Sequence, residues 1–117
     1  MQPIVSDMHI TEATDGPTLV VLEGRIDATA VQTQRERLIG LLDRGFTRLV
    51  IDLSGTQFLD SAGMAMLVSV MKRARQAGGD LRVVEPADES VRRILHLTRL
   101  DLVLNLRPNY ASAIEGF

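Results

Sequence analysis

The residues of this chain best placed to do chemistry are gathered in one short stretch, Phe58-Leu59-Asp60-Ser61-Ala62-Gly63-Met64. An apolar, β-branched run, Leu49-Val50-Ile51-Asp52-Leu53, ends just before it, and a helical pattern of Met64, Leu67, Val68 and Met71 begins just after it. Ser61 therefore falls where a strand hands over to a helix. The unpaired N–H groups of a first helical turn, together with the helix dipole, favour a hydroxyl cap or an anion at such a position. A serine there can be a plain cap, and it can also carry a phosphate. Asp60 stands beside it, and Asp27 occupies a similar junction earlier in the chain, where it could equally cap a helix or end a strand.

Other chemistries lack their partners. Asp52 and Asp60 suggest a phosphoaspartate or metal pair, but no further acidic pair is positioned to complete either. His9 belongs to an edge strand and His96 to a helix, so neither is expected to act as a base for Ser61. There is no cysteine, hence no thiol nucleophile, thiolate metal site or disulfide framework. A Gly-x-Ser-x-Gly elbow, a P-loop and metal-spaced histidines are all missing. Lys72-Arg73-Ala74-Arg75 and Arg92-Arg93 read as solvated helix faces. A binding protein without cofactor or metal is expected, not an enzyme.

Size and charge agree with that expectation. A chain of 117 residues, 45% of them hydrophobic, fits one domain, residues 1–117, that buries about two thirds of its unfolded surface. A net charge of −2 gives no long-range attraction for nucleic acid or anionic lipid. Aromatic residues make up only 3%, too few for base stacking. No stretch reads as a signal peptide or approaches the roughly 18 apolar residues of a membrane span, so a cytoplasmic location is expected.

The elements that must hold Ser61 in place follow from periodicity. Ile4 to Thr14 alternates loosely and is closed by Asp15-Gly16-Pro17, which predicts an edge strand and turn; Thr18 to Arg25 is a denser strand paired back on it. Thr29 and Gln32 have capping-box spacing, and Val31, Leu38, Leu41 and Leu42 recur at helical intervals until Asp43-Arg44-Gly45. A strand from Thr47 to Leu53 leads to the central stretch, and a second helix runs from about Ser61 to Ala77, ended by Gly78-Gly79. Leu81 to Val84 is a further strand, broken by Pro86. Asp88 caps a third helix with Val91, Ile94 and Leu95 inward. Leu102 to Leu106 is expected as a fifth strand, and Pro108-Asn109 opens a short last helix containing Tyr110, Ala113 and Ile114. After the opening antiparallel hairpin, strands and helices alternate, which predicts an α/β fold: a mostly parallel sheet of four to five strands with about four helices.

These segments, taken in order, resemble a known family. Phe58 to Met64, preceded by Val50-Ile51-Asp52-Leu53-Ser54 and followed by Gly78-Gly79-Asp80-Leu81-Arg82-Val83-Val84, is similar to the STAS domain of bacterial anti-sigma factor antagonists. Leu22-Glu23-Gly24-Arg25-Ile26-Asp27 resembles the family's L-x-G-x-L-D segment, and Leu97-Thr98-Arg99-Leu100-Asp101 its T-G-L element. The resemblance implies a STAS fold. It implies that Ser61 is the serine phosphorylated by a cognate anti-sigma factor that is also a serine kinase of GHKL type. Asp60 matches the acidic neighbour of that serine, and Asp27 the aspartate beside it on the partner-binding surface.

In such proteins the unphosphorylated form binds the anti-sigma factor and frees the sigma factor, and a PP2C-type phosphatase resets the switch. Asp27, Asp60, Ser61, Ala62, Gly63 and Met66 are the expected partner-binding set, on a monomer or weak dimer. The alternative within the family is a subunit that docks constitutively, in a stressosome-like scaffold or a lipid-transport ABC complex. Two positions depart from the common pattern. Ala62 stands where many members have a second serine, leaving Ser61 as the sole hydroxyl acceptor of the tetrapeptide. Arg99 stands where a glycine is usual.

The second helix is apolar on two sides. Met64, Leu67, Val68 and Met71 are expected to face inward, while Ala62, Ala65, Met66 and Val70 make the opposite side apolar too. Cover for that side is expected either from the neighbouring helices or from a partner recognised through the adaptable Met66.

Overall fold

The computed structural model describes residues 6–13 and 15–117. The opening hairpin pairs β1 (Asp7–Thr11) antiparallel with β2 (Thr18–Ile26), Met8 opposite Leu22; Ile4 and Thr14, the expected strand limits, lie outside the described residues. Every later pairing is parallel. The sheet runs β1, β2, β3 (Arg48–Asp52), β5 (Asp80–Val84), β6 (Leu106–Arg107), with β4 (Thr56–Leu59) joined to the far end of β2. The helices are α1 (Ala28–Asp43), α2 (Ser61–Gln76), α3 (Glu89–Leu97), α4 (Leu100–Val103) and α5 (Tyr110–Ile114). The α/β architecture with its antiparallel hairpin is as expected; the described residues form six strands and five helices, against the expected four to five strands and about four helices.

Alternation along the strands divides the core. In β3, Leu49 and Ile51 join the large cluster with Leu38, Leu67, Val70 and Leu95, while Val50 between them faces the other way. Side chains of successive strand residues point to opposite faces, so α1, α2 and α3 pack on one face. The other carries α5, through Ala113, Ile114 and the final Phe117 against Val50 and Val84. Arg82 holds this cover in place: its guanidinium stacks 4.3 Å from the Phe117 ring and donates to the carbonyls of Ala113 (3.0 Å) and Glu115 (2.6 Å).

Two local expectations are corrected. Leu102 to Leu106 does not form one strand: its first part belongs to α4, and only Leu106 enters the sheet, paired with Val83. Left-handed backbone at Arg99 (φ 62°) and Asn105 (φ 54°) turns the chain before and after α4. Such backbone costs a side-chain-bearing residue about 1 kcal/mol, which explains physically why glycine suits the position of Arg99. At α1, the helix begins before the expected capping box, with Asp27 as its cap in place of Thr29.

Candidate functional site

The site is built by a repeated device. β2 and β4 lie parallel with Ile26 opposite Leu59, so their carboxyl ends stop side by side, where the following helices must start. To reach β4, β2 shifts register between Gly24 and Arg25. Gly24 there is buried at φ 78°, with its N–H donating to the Gly55 carbonyl at 3.0 Å; the left-handed backbone is what glycine tolerates. Thr56 fixes the other side by donating its hydroxyl to the Leu22 carbonyl at 2.8 Å.

An aspartate follows each strand and caps the next helix. Asp27 accepts through Oδ1 from the N–H groups of Thr29 and Ala30, both at 3.1 Å. Its Oδ2 accepts from Arg25 Nε at 3.2 Å, and the Arg25 guanidinium also lies 3.9 Å above the Phe58 ring. Asp60 accepts through Oδ1 from the Gly63 N–H at 3.0 Å and through Oδ2 from the Ala28 N–H at 3.2 Å. Its own N–H donates to the Ile26 carbonyl at 3.3 Å. Asp60 thus caps α2 and ties it to the first residue of α1. The two helix N-termini become one amide-rich ledge.

Ser61 stands on that ledge as the first residue of α2 and is exposed. The cap of α2 is Asp60, so the serine hydroxyl is not the group that closes the helix. Ala62 is half-buried, and Gly63 is buried against β2. A Cβ on Gly63 would come within 2.6 Å of the Ile26 carbonyl oxygen and of Leu59 Cδ1. The ledge therefore exists because residue 63 has no side chain.

The expected site is brought together in part. Asp27, Asp60, Ser61 and Ala62 share the surface at the two helix starts. Gly63 and Met66 do not offer a partner anything: Gly63 is enclosed, and Met66 is 2% exposed within the main core. The buried stripe of α2 is Gly63, Met66, Leu67, Val70, Met71 and Ala74, rotated from the expected one, while Met64 and Val68 are only partly covered. The small residues Gly63 and Ala74 at its two ends are the signal that places it, because close packing of α2 needs them there. Asp52 is not part of the site: it accepts from the Ser54 N–H at 2.8 Å in the turn before β4. His96 pairs with Asp101 (Nδ1 to Oδ2, 2.7 Å), and His9 with Asp7 (3.0 Å). Among the described residues no group of three or more His, Asp or Glu is arranged to hold a metal.

Electrostatically the site is a pair of carboxylates partly neutralised by amides. Bonding from the Ala30 N–H, and then from Arg25, holds the Asp27 carboxyl below its ordinary value of 3.8. A group whose folded pKa is depressed stabilises the fold above its unfolded pKa, and that stabilisation is lost as pH falls through the folded value. The stability difference between the parent and Asp27→Asn is therefore expected to be constant at neutral pH and to shrink once pH drops below about 4. Urea melts at pH 7 and pH 3 check this; a difference that grows in acid overturns the assignment.

The family model for the STAS domain matches residues 9–113. The chain belongs to the STAS domain family. It is 30% identical over 105 residues to the anti-sigma-F factor antagonist RsfA of Mycobacterium tuberculosis, a match covering 87% of this chain and 80% of that one. It is also 30% identical over 74 residues to a putative anti-sigma factor antagonist of Thermotoga maritima, covering 63% of this chain and 65% of the relative. The crystal structure of an anti-sigma factor antagonist from Mycobacterium paratuberculosis superposes with a TM-score of 0.84 at 28% identity, over 98% of this chain and 96% of that one. In this STAS domain, the segment from Asp27 to the first turn of α2 lies wholly inside the matched region. No helix among the described residues is long and apolar enough to cross a membrane.

Proposed function

We propose that this STAS domain is an anti-sigma factor antagonist whose binding is switched off by phosphorylation of Ser61. Residues 1–117 work as one domain in the cytoplasm. The unphosphorylated face binds an anti-sigma factor that doubles as a GHKL-type serine kinase, which frees the sigma factor. A PP2C-type phosphatase restores the hydroxyl. The chain supplies no catalysis of its own; Asp27, Asp60, Ser61 and Ala62 form the contact surface.

The observation that supports this most is the division of labour in the first turn of α2: Asp60 does the capping while the adjacent Ser61 stays exposed. A hydroxyl in that position can be modified without undoing a helix cap. The names of the relatives support the coarser part of the reading, an anti-sigma factor antagonist. Phosphate brings about 1.5 to 2 negative charges, which the helix N-terminus tolerates. The Asp60 carboxylate immediately before it in the chain adds like charge, which leaves the phosphate facing any partner.

Incubation with ATP and each GHKL-type serine kinase of the source genome, followed by mass spectrometry, is the direct test. The peptide containing Ser61 is expected to gain one phosphate with a single kinase, and a PP2C-type phosphatase to remove it. A peptide that stays unmodified with every kinase while the domain still binds an anti-sigma factor points to a constitutive docking subunit and overturns the switch.

A further inference from the structure

α2 sets its buried stripe on the core and turns an adjacent side outward, where it forms a groove with α4 of about 510 Å³. Met64, Val68 and Leu100, all partly covered, give this groove an apolar lining. Ser69, Lys72 and Arg73 lie along it towards the C-terminal end of α2. Arg35 of α1 adds a further guanidinium there, its Nη2 donating to Ser69 Oγ at 3.3 Å. No carboxylate lines the groove among the described residues. In a chain with 15 acidic and 13 basic residues, this is a local reversal of charge.

The cations are not engaged elsewhere in the fold. Arg75 is held by Asp80, Nε to Oδ1 at 2.8 Å, whereas Lys72 and Arg73 have no carboxylate partner among the described residues. The groove is also continuous with the ledge: Met64 is three residues beyond Ser61, hence on the same side of the helix, and the Thr98 hydroxyl touches its sulfur at 3.9 Å.

We infer that this groove takes an acidic amphipathic helix of the anti-sigma partner. The inference rests on the reading of the chain as an anti-sigma factor antagonist and adds the chemistry of the segment that docks. The partner helix lies along α2 with its apolar residues on Met64, Val68 and Leu100, the helix-in-groove mode of recognition. Its carboxylates face Arg35, Lys72 and Arg73. From Met64 to Arg73 the groove runs about 14 Å along the helix axis, the length of two to three helical turns.

The test uses the full chain, labelled with nitrogen-15, and two synthetic amphipathic peptides of about four helical turns, one of leucine and glutamate and one of leucine and lysine. The glutamate peptide is expected to shift the amides of Val68, Ser69 and Lys72, and the lysine peptide to leave them in place. The double reversal Lys72→Glu with Arg73→Glu, at exposed positions that leave the core alone, is expected to weaken glutamate-peptide binding about tenfold or more. Equal shifts with the lysine peptide, no shift with the glutamate peptide, or unchanged affinity of the double variant overturns the inference. Two outcomes separate it from the reading on which it rests. If the double variant binds an anti-sigma factor at full affinity and phosphorylation of Ser61 still releases it, the groove is wrong and the switch stands. If the glutamate peptide binds in the groove but no kinase modifies Ser61, the switch is wrong and the groove stands.

Discussion

Gly63→Ala is expected to destabilise the domain by roughly 2 to 3 kcal/mol, a fall in melting temperature of about 10 °C for a chain of this size. The added methyl group would meet the Ile26 carbonyl oxygen at 2.6 Å, Leu59 Cδ1 at 2.6 Å and Ile26 Cγ2 at 2.8 Å. One of these is backbone of β2, which cannot swing aside as a side chain tip can, so α2 itself must back away. That movement pulls Asp60 from the Ala28 N–H and from the Ile26 carbonyl, the two links that join the helix starts. Partner binding should fall together with stability. Gly40→Ala supplies the control, because a Cβ at that position in α1 meets nothing within 4 Å. Within a helix, alanine in place of glycine adds about 0.5 to 1 kcal/mol of stability, so the same chemical change should raise the melting temperature there. Thermal melts of both variants decide it; a Gly63→Ala protein as stable as its parent would mean that the first turn of α2 is not pressed on β2.

How much of this was legible in the sequence depended on how many residues carried each signal. β2, β3 and β5 are dense in Val, Ile and Leu, and α1, α2 and α3 repeat their apolar positions over two turns or more, so alternation of strand and helix could be read directly. β4 has only four residues, of which Gln57 is exposed and Phe58 partly so; its place comes from β2, whose register shift at Gly24 turns it from β3 to β4. That pairing is a tertiary fact, and no local pattern announces it. Leu102 to Leu106 alternates as a strand would, yet left-handed turns at Arg99 and Asn105 cut it into a helical turn and a two-residue strand. In α2 the difficulty was surplus: apolar residues surround the first two turns, so periodicity alone could not choose which stripe is buried. The position of Ser61 at the start of a helix was legible. That Asp60 caps α2 and also bonds the Ala28 N–H was not, because Asp60 and Ala28 are 32 residues apart in sequence and meet through the parallel ends of β2 and β4.

That link between the two caps is why a charge placed on Ser61 should leave the fold intact and act only on a partner. Ser61→Asp is expected to change the melting temperature by less than about 2 °C, since an anion in the first turn of a helix is mildly favourable. Phosphoserine there should behave likewise. Affinity for the anti-sigma factor should respond very differently. A surface shaped for a hydroxyl must bury a dianion beside Asp60 and Asp27, and a penalty of roughly 3 to 5 kcal/mol corresponds to a loss of about two to four orders of magnitude. Aspartate carries one charge and lacks the size of phosphate, so Ser61→Asp should lose about tenfold to a hundredfold. Ser61→Ala removes the acceptor and adds no charge; it should bind within about twofold of the parent and stay bound when kinase and ATP are supplied. Isothermal titration of the anti-sigma factor into the three proteins, beside a thermal melt of each, reads both quantities. Loss of binding by Ser61→Asp with an unchanged melt places the effect at the interface. A variant that unfolds means instead that Ser61 is tied into the α2 turn more tightly than its exposure allows.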